Sequence, residues 1–513
     1  MSDAADHTTP AKETPAKPAE YRPPEGAQVY GAWQAPGGAS LPYVSRAEWF
    51  LLREKEKPVA EIFSVAYVAE ETAGRPVTFV FNGGPGAASA YLHVGALGTR
   101  RVAFAADGNV LPPPTRLTDN AESWLGFTDL VFVDPVGTGF SRVIEEGAGD
   151  GAKDKPGAGA DPAKKRDPKA FFGLKRDLQS LGEFMSRWLS RHDRWDSPVF
   201  IAGESYGGFR VAKLSRLLHE GFGIGLNGAI LISPALEFAL LDSSDYDVLP
   251  WVDRFPTMAA AAAFHGRSRA FKAGTPVARV LAAAETFATT DLATFLAQGD
   301  AMPKARRARV LDRAAALLGL PPERVARAAG RVDLYSFVRE LLRDEGRVCG
   351  LYDATITARD PFPDRDSYAG PDATLSGIER VFTSGINKRL RGEIGVKSER
   401  EYHLISYEVN KAWKIDFERH ALDSQIGATD DLRYGLSLNP HMKVFLTHGL
   451  YDLVTPYYAS NRIANLMKLD PATAARLTVR HFGGGHMFYA WERSRAEFRD
   501  AMAKFFTASL PKA

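Results

Sequence analysis

Cysteine is almost missing from this chain: Cys349 is the only one in 513 residues. A lone cysteine excludes an internal disulfide and any cysteine-based zinc site. Net charge is scarce too, at +2 from 64 basic and 62 acidic side chains. With no basic stripe interleaved with aromatics, nucleic acid is not an expected partner. Long apolar runs are also lacking, and none approaches the roughly 18 residues needed to cross a bilayer. No membrane span is therefore expected. A single cysteine fits a cytoplasmic location, with a periplasmic or secreted one open if a signal segment has been removed. The glycine-rich loop at 82–86 lacks the Gly-Lys-Ser/Thr ending of a phosphate-binding loop, and no G-x-G-x-x-G opens a helix there. No cofactor or metal is expected, and oligomeric state is not readable.

What is present is an ordinary globular composition, 45% hydrophobic and 25% charged, in a chain too long for one compact unit. Residues 1–25, rich in Ala, Pro, Lys and Thr, read as a disordered tail. Residues 61–69 alternate like an antiparallel strand. Short apolar runs at 77–81, 129–133, 199–202, 229–232 and 444–447 suit the buried strands of a mostly parallel sheet. Amphipathic helices are predicted over 171–189 and from Ser205 towards His219. Residues 145–167 read as a flexible Gly/Ala/Asp/Lys-rich surface insertion. From 242 to 422 the strand pattern gives way to helical segments at 277–296, 304–318 and 322–345. These features predict a core over 26–241, a helical cap over 242–422 and a second core segment over 423–513.

One pentapeptide carries chemistry. In Gly203-Glu-Ser-Tyr-Gly207 a buried strand ends, a sharp turn holds Ser205, and a helix begins. A serine there is exposed for nucleophilic attack, with the Tyr206 N–H and the helix start facing developing negative charge. The bland alternative is an ordinary glycine turn, but the strand before and the helix after argue against it. Ser205 needs a base, and His486 in Gly483-Gly-Gly-His-Met487 follows the last strand-like run. His448 and His481 are rivals placed in or beside strands, where a core role is expected. Asp452, just beyond the 444–447 run, is the candidate acid that would orient the imidazole; alone it would read as a turn aspartate. The chain order Ser205, Asp452, His486 is that of α/β-hydrolases, which is the fold class expected here. A second oxyanion donor is placed at Gly84, in Asn82-Gly-Gly-Pro-Gly86.

With these motifs in hand, the chain resembles the serine carboxypeptidase family (peptidase family S10). The resemblance is carried by Asn82-Gly-Gly-Pro-Gly86, Asn120-Ala-Glu-Ser-Trp124, Asp134-Pro-Val-Gly-Thr-Gly-Phe-Ser141, Gly203-Glu-Ser-Tyr-Gly-Gly208 and Gly485-His-Met487. It implies release of a C-terminal amino acid from a peptide with a free C-terminus, through an acyl-enzyme. It further implies that Asn82, Gly83 and Glu204 bind the substrate's terminal carboxylate. A Glu facing a carboxylate is workable when one of the two is protonated. The family's second Glu is missing, since Ala96 stands at its place, so Glu204 is expected to ionise more readily and to bind carboxylate weakly near neutral pH. The family's cysteine after the glycine loop is Ala87. An esterase or acyltransferase using the same triad is the alternative reading, and a non-catalytic binding protein a third. Trp251, Tyr352, Tyr407 and Trp413 are the insertion's aromatic candidates for the pocket wall.

Overall fold

The computed structural model describes residues 21–71, 73–144, 167–365, 368, 370–415 and 426–511. The expected tail falls outside these up to residue 20, as does the glycine-rich stretch over 145–166. Strands β1 (Ala27–Gln34), β2 (Ser40–Glu54), β3 (Lys57–Ala69) and β4 (Val77–Phe81) come first. Next, β5 (Arg100–Val102) and β6 (Leu117–Asp119) form a two-stranded sheet of their own. The chain continues through β7 (Asp129–Val133), β8 (Arg142–Val143), β9 (Val199–Glu204) and β10 (Leu226–Ile232). A second small pair follows, β11 (Arg347–Cys349) and β12 (Thr357–Arg359), before β13 (Lys443–Thr447) and β14 (Leu477–Val479).

The central sheet has the order β1-β2-β3-β7-β4-β9-β10-β13-β14, with β8 paired to β3. From β7 to β14 every neighbouring pair is parallel. β1, β2 and β3 add an antiparallel edge, and β3 joins it to β7. This is the expected α/β-hydrolase architecture. The central strands are apolar throughout because both faces are covered. Val77, Phe79 and Phe81 pack with residues of helices Leu174–Arg191 and Tyr206–Phe222. The Trp188 ring meets Phe79 nearly edge-on, with centroids 5.4 Å apart. Val80, Phe132 and Phe200 face the other way, into a core shared with Phe498 and Phe506 of helix Glu492–Ser509. The period-two alternation of a strand thus serves two cores at once.

The insertion departs from a single helical cap in four respects. Its helices Leu249–Phe264 and Lys304–Leu318 do enclose a separate core, with Cys349 buried at its edge. Ile378, Phe382, Ile386 and Leu390, however, pack into the core of the sheet. The helix expected over 322–345 is three pieces, Pro322–Arg327, Leu334–Glu340 and Arg343–Glu345. Ala329 and Gly330, both at positive φ, break it. Strand pairing also persists in β11 and β12. Finally, Val277–Ala301 does reach the length and apolar content of a membrane-crossing helix, contrary to expectation. Leu281, Ala284, Phe287 and Phe295 of this stretch pack into the cap core. The expected boundary at 422 lies outside the described residues.

One buried ion pair ties the sheet-covering helices together. Arg210, fully buried on helix Tyr206–Phe222, donates from Nε to Asp177 Oδ2 at 2.7 Å and from Nη1 to the Asn82 carbonyl at 2.7 Å. Replacing Arg210 by Met strands a buried carboxylate and a carbonyl, so urea unfolding is expected to register a loss of about 3–5 kcal/mol. Adding Asp177→Leu to that variant is expected to recover much of it. Equal stability of Arg210→Met and wild type would contradict this account of the pair.

Candidate active site

Ser205 stands between β9 and helix Tyr206–Phe222 at φ 60° and ψ −123°. A serine is rarely held there, and its neighbours leave it little choice. Its N–H donates to the Ile232 carbonyl at 2.9 Å, and its carbonyl accepts from Gly208 and Ala235. Glycine is needed on both sides of the turn because the backbones nearly touch. A Cβ on Gly203 would lie 2.1 Å from the Gly207 oxygen, and one on Gly83 2.6 Å from the Tyr206 nitrogen. The 82–86 loop is therefore pressed against the serine turn. Ser205, Asn82, Gly83, Gly84, Glu204 and His486 all line one cleft. Tyr206 opens the helix, where the first N–H groups lack an intrahelical acceptor.

His486 reaches this cleft from the loop after β14. Its Nδ1 lies 2.7 Å from Asp452 Oδ2, and Asp452 is fully buried. Asp452 is also a turn residue: its Oδ1 accepts from the Val454 and Thr455 N–H groups. The two readings of this aspartate are compatible, since its second oxygen still serves the imidazole. Thr455 Oγ1 donates to Oδ2 at 2.7 Å and lies 3.1 Å from Nδ1. Burial opposes a charge on His486, but the Asp452 carboxylate and its hydrogen bond, with Glu204 beyond, outweigh it and raise the imidazole pKa. The rivals sit elsewhere as core groups. His448 binds the Thr455 carbonyl and Ser460, and His481 binds Asn461.

Glu204, immediately before the serine, is 3% exposed. Its Oε2 accepts from Asn82 Nδ2, while Asn82 Oδ1 accepts from the Leu92 N–H. Burial pushes the Glu204 carboxyl up to about 7, with His486, Tyr489 and Asn82 pulling it down. Ala96 lies in the buried helical turn His93–Leu97 and offers no carboxyl. Burial thus raises this carboxyl with no acid at position 96. Among the four aromatic candidates, only Tyr352 lines the cleft. Trp251 is in the cap core, Trp413 donates to the Tyr206 hydroxyl, and Tyr407 is exposed. Among the described residues, no cluster of three His, Cys, Asp or Glu is placed to hold a metal.

Comparison with known proteins now bears on one part of this arrangement. Residues 46–239 match the serine carboxypeptidase family. Serine carboxypeptidase-like 46 of Arabidopsis thaliana is 27% identical over 194 residues, 36% of this chain and 35% of the relative. The retinoid-inducible serine carboxypeptidase of Rattus norvegicus is 31% identical over 146 residues, 28% of this chain and 25% of its own. The matched part thus spans about a third or less of those relatives. A monoglyceride lipase structure from Saccharomyces cerevisiae aligns over 91% of this chain and 96% of its own, at 10% identity and a TM-score of 0.35. The family match covers Asn82, Gly83, Gly84, Glu204, Ser205 and Tyr206. Asp452 and His486 lie beyond it, and geometry alone brings His486 to the cleft with Asp452 buried behind it.

Several supporting residues escaped the sequence. Thr455 stands three residues after Asp452, a spacing that suggested a turn and nothing more. Arg210 is a buried charge that no local motif marks. Tyr352 was marked only as a pocket-wall aromatic, and Asp353 gave no signal. Yet the Tyr352 carbonyl accepts the His486 N–H, and Asp353 Oδ2 accepts from Gly485 N–H at 2.9 Å. Imidazole titration by NMR is expected to place His486 above the ordinary histidine value of about 6.5. In Asp452→Asn it is expected to fall below that value, because burial is then opposed only by Glu204. An unchanged pKa in that variant would mean that Asp452 does not govern the imidazole.

Proposed function

We propose that the protein is a serine carboxypeptidase, releasing the C-terminal residue of a peptide through an acyl-enzyme on Ser205. The observation that carries this is Glu204, a buried acid beside Ser205 whose ionisation is pushed up to about 7. A neutral carboxyl can donate its proton to a substrate carboxylate, whereas an ionised one would repel it. Asn82 and the backbone at Gly83 complete the carboxylate-binding side of the cleft.

The chemistry then runs along the cleft. Ser205 Oγ bonds to the carbonyl carbon of the last peptide bond as its proton passes to His486 Nε2. Asp452 holds the ring by Nδ1 and stabilises its cation. The oxyanion lies between the N–H groups of Gly84 and Tyr206, and losing one such donor costs on the order of 10²–10³ in rate. Collapse breaks the C–N bond, and His486 returns the proton to the departing amino acid. Water, deprotonated by His486, then cleaves the acyl ester and frees Ser205.

Peptides with free and amidated C-termini separate this reading from an esterase or acyltransferase. The free acid is expected to lose one residue at a time, the amide to resist, and Ser205→Ala to be inactive and unlabelled by a fluorophosphonate. Equal cleavage of acid and amide, or activity on esters alone, would overturn it. For wild type, KM for the free acid is expected to rise as pH passes through about 7 and Glu204 ionises. In Glu204→Gln, which stays neutral, that rise is expected to vanish.

A further inference from the structure

Asn82 satisfies one oxygen of Glu204, but the other, Oε1, is buried without a partner. A buried acceptor left so is costly, and it calls for an explanation. The group that faces it is Tyr489, three residues past His486 in the turn Phe488–Ala490. Tyr489 is fully buried, and its hydroxyl also lacks a partner. The ring is held in place: a Cβ on Gly95 would come within 3.1 Å of it, and Phe488 meets it at 5.9 Å between centroids. Phenol and carboxyl thus lie against each other, each with a buried oxygen that no other group satisfies. At Ala96, beside Gly95, the chain supplies only a methyl group.

We infer that Tyr489 is a positioning residue, whose hydroxyl donates to Glu204 Oε1 and fixes the carboxyl that binds the substrate's terminus. With Asn82 on Oε2 and Tyr489 on Oε1, both oxygens accept from the protein. The acid proton is then the one hydrogen-bonding element of Glu204 left to donate to the substrate. His486, Asp452 and Tyr91 are the other titratable groups that bear on this carboxyl. The role rests on the carboxypeptidase reading of Glu204.

Tyr489→Phe keeps the ring and removes only the hydroxyl. KM for a free-acid peptide at pH 5 is expected to rise about tenfold, the worth of one hydrogen bond to an ionisable group, with kcat unchanged. Losing a donor disfavours the anion, so the pH at which KM climbs is expected to move up by about one unit. Fluorophosphonate labelling of Ser205 should proceed at the wild-type rate, which separates this effect from misfolding. The Glu204 carbonyl band in the infrared, identified by its loss in Glu204→Gln, is expected to shift to higher frequency. An unmoved band overturns the role of Tyr489 whatever the substrate proves to be. A shifted band in a protein that treats acids and amides alike keeps the Tyr489–Glu204 contact and removes the carboxypeptidase reading.

Discussion

Ser205 is held at positive φ between a strand and a helix, and the rest of the site is arranged around that strained turn. Such a conformation costs on the order of 1–3 kcal/mol and persists only where its surroundings over-determine it. Here they do. The Ser205 N–H is fixed on β10, its carbonyl on Gly208 and Ala235, and the turn is wedged between Gly83, Gly203 and Gly207. The same close approach presses the 82–86 loop against the serine turn, bringing Gly84 to its cleft and Asn82 to Glu204. One backbone constraint therefore places the serine, the helix start and the Asn82–Glu204 pair together.

The histidine side depends on a different part of the chain. The His486 loop hangs from the insertion through the Tyr352 carbonyl and Asp353, and from the core through the Ser233 hydroxyl, which donates to the His486 carbonyl. Burial lifts the Asp353 carboxyl to about 6, although it accepts from Gly485, Thr355 and Trp491. Cap and core thus share the placement of one imidazole. A change in the 350–356 segment would reach the site without touching substrate.

The sequence was legible where a local pattern carried the information. The runs at 77–81 and 129–133 coincide with β4 and β7, because strands covered on both faces are apolar without interruption. Ser205, Asp452 and His486 each sat in a short strand–turn context that betrayed them. β1 and β2 were not foreseen, since an edge strand such as β1 is largely exposed and mixes Gln, Gly and Trp without a clean alternation. The 322–345 segment kept a helical composition through the break at Ala329 and Gly330. The supports of the site were illegible for a plainer reason. Glu204 and Asn82 are 122 residues apart, and Gly485 and Asp353 are 132. No local pattern encodes such pairings.

The central claim is that Ser205 becomes acylated by a peptide and that His486 makes this possible. Rapid acid quench of the protein with a free-acid peptide, followed by mass spectrometry, reads it directly. The account predicts a peptidyl adduct on the fragment holding Ser205, shortened by one residue relative to the substrate and absent in His486→Gln. An adduct on another residue, or turnover with none on Ser205 even under trapping conditions, would contradict it.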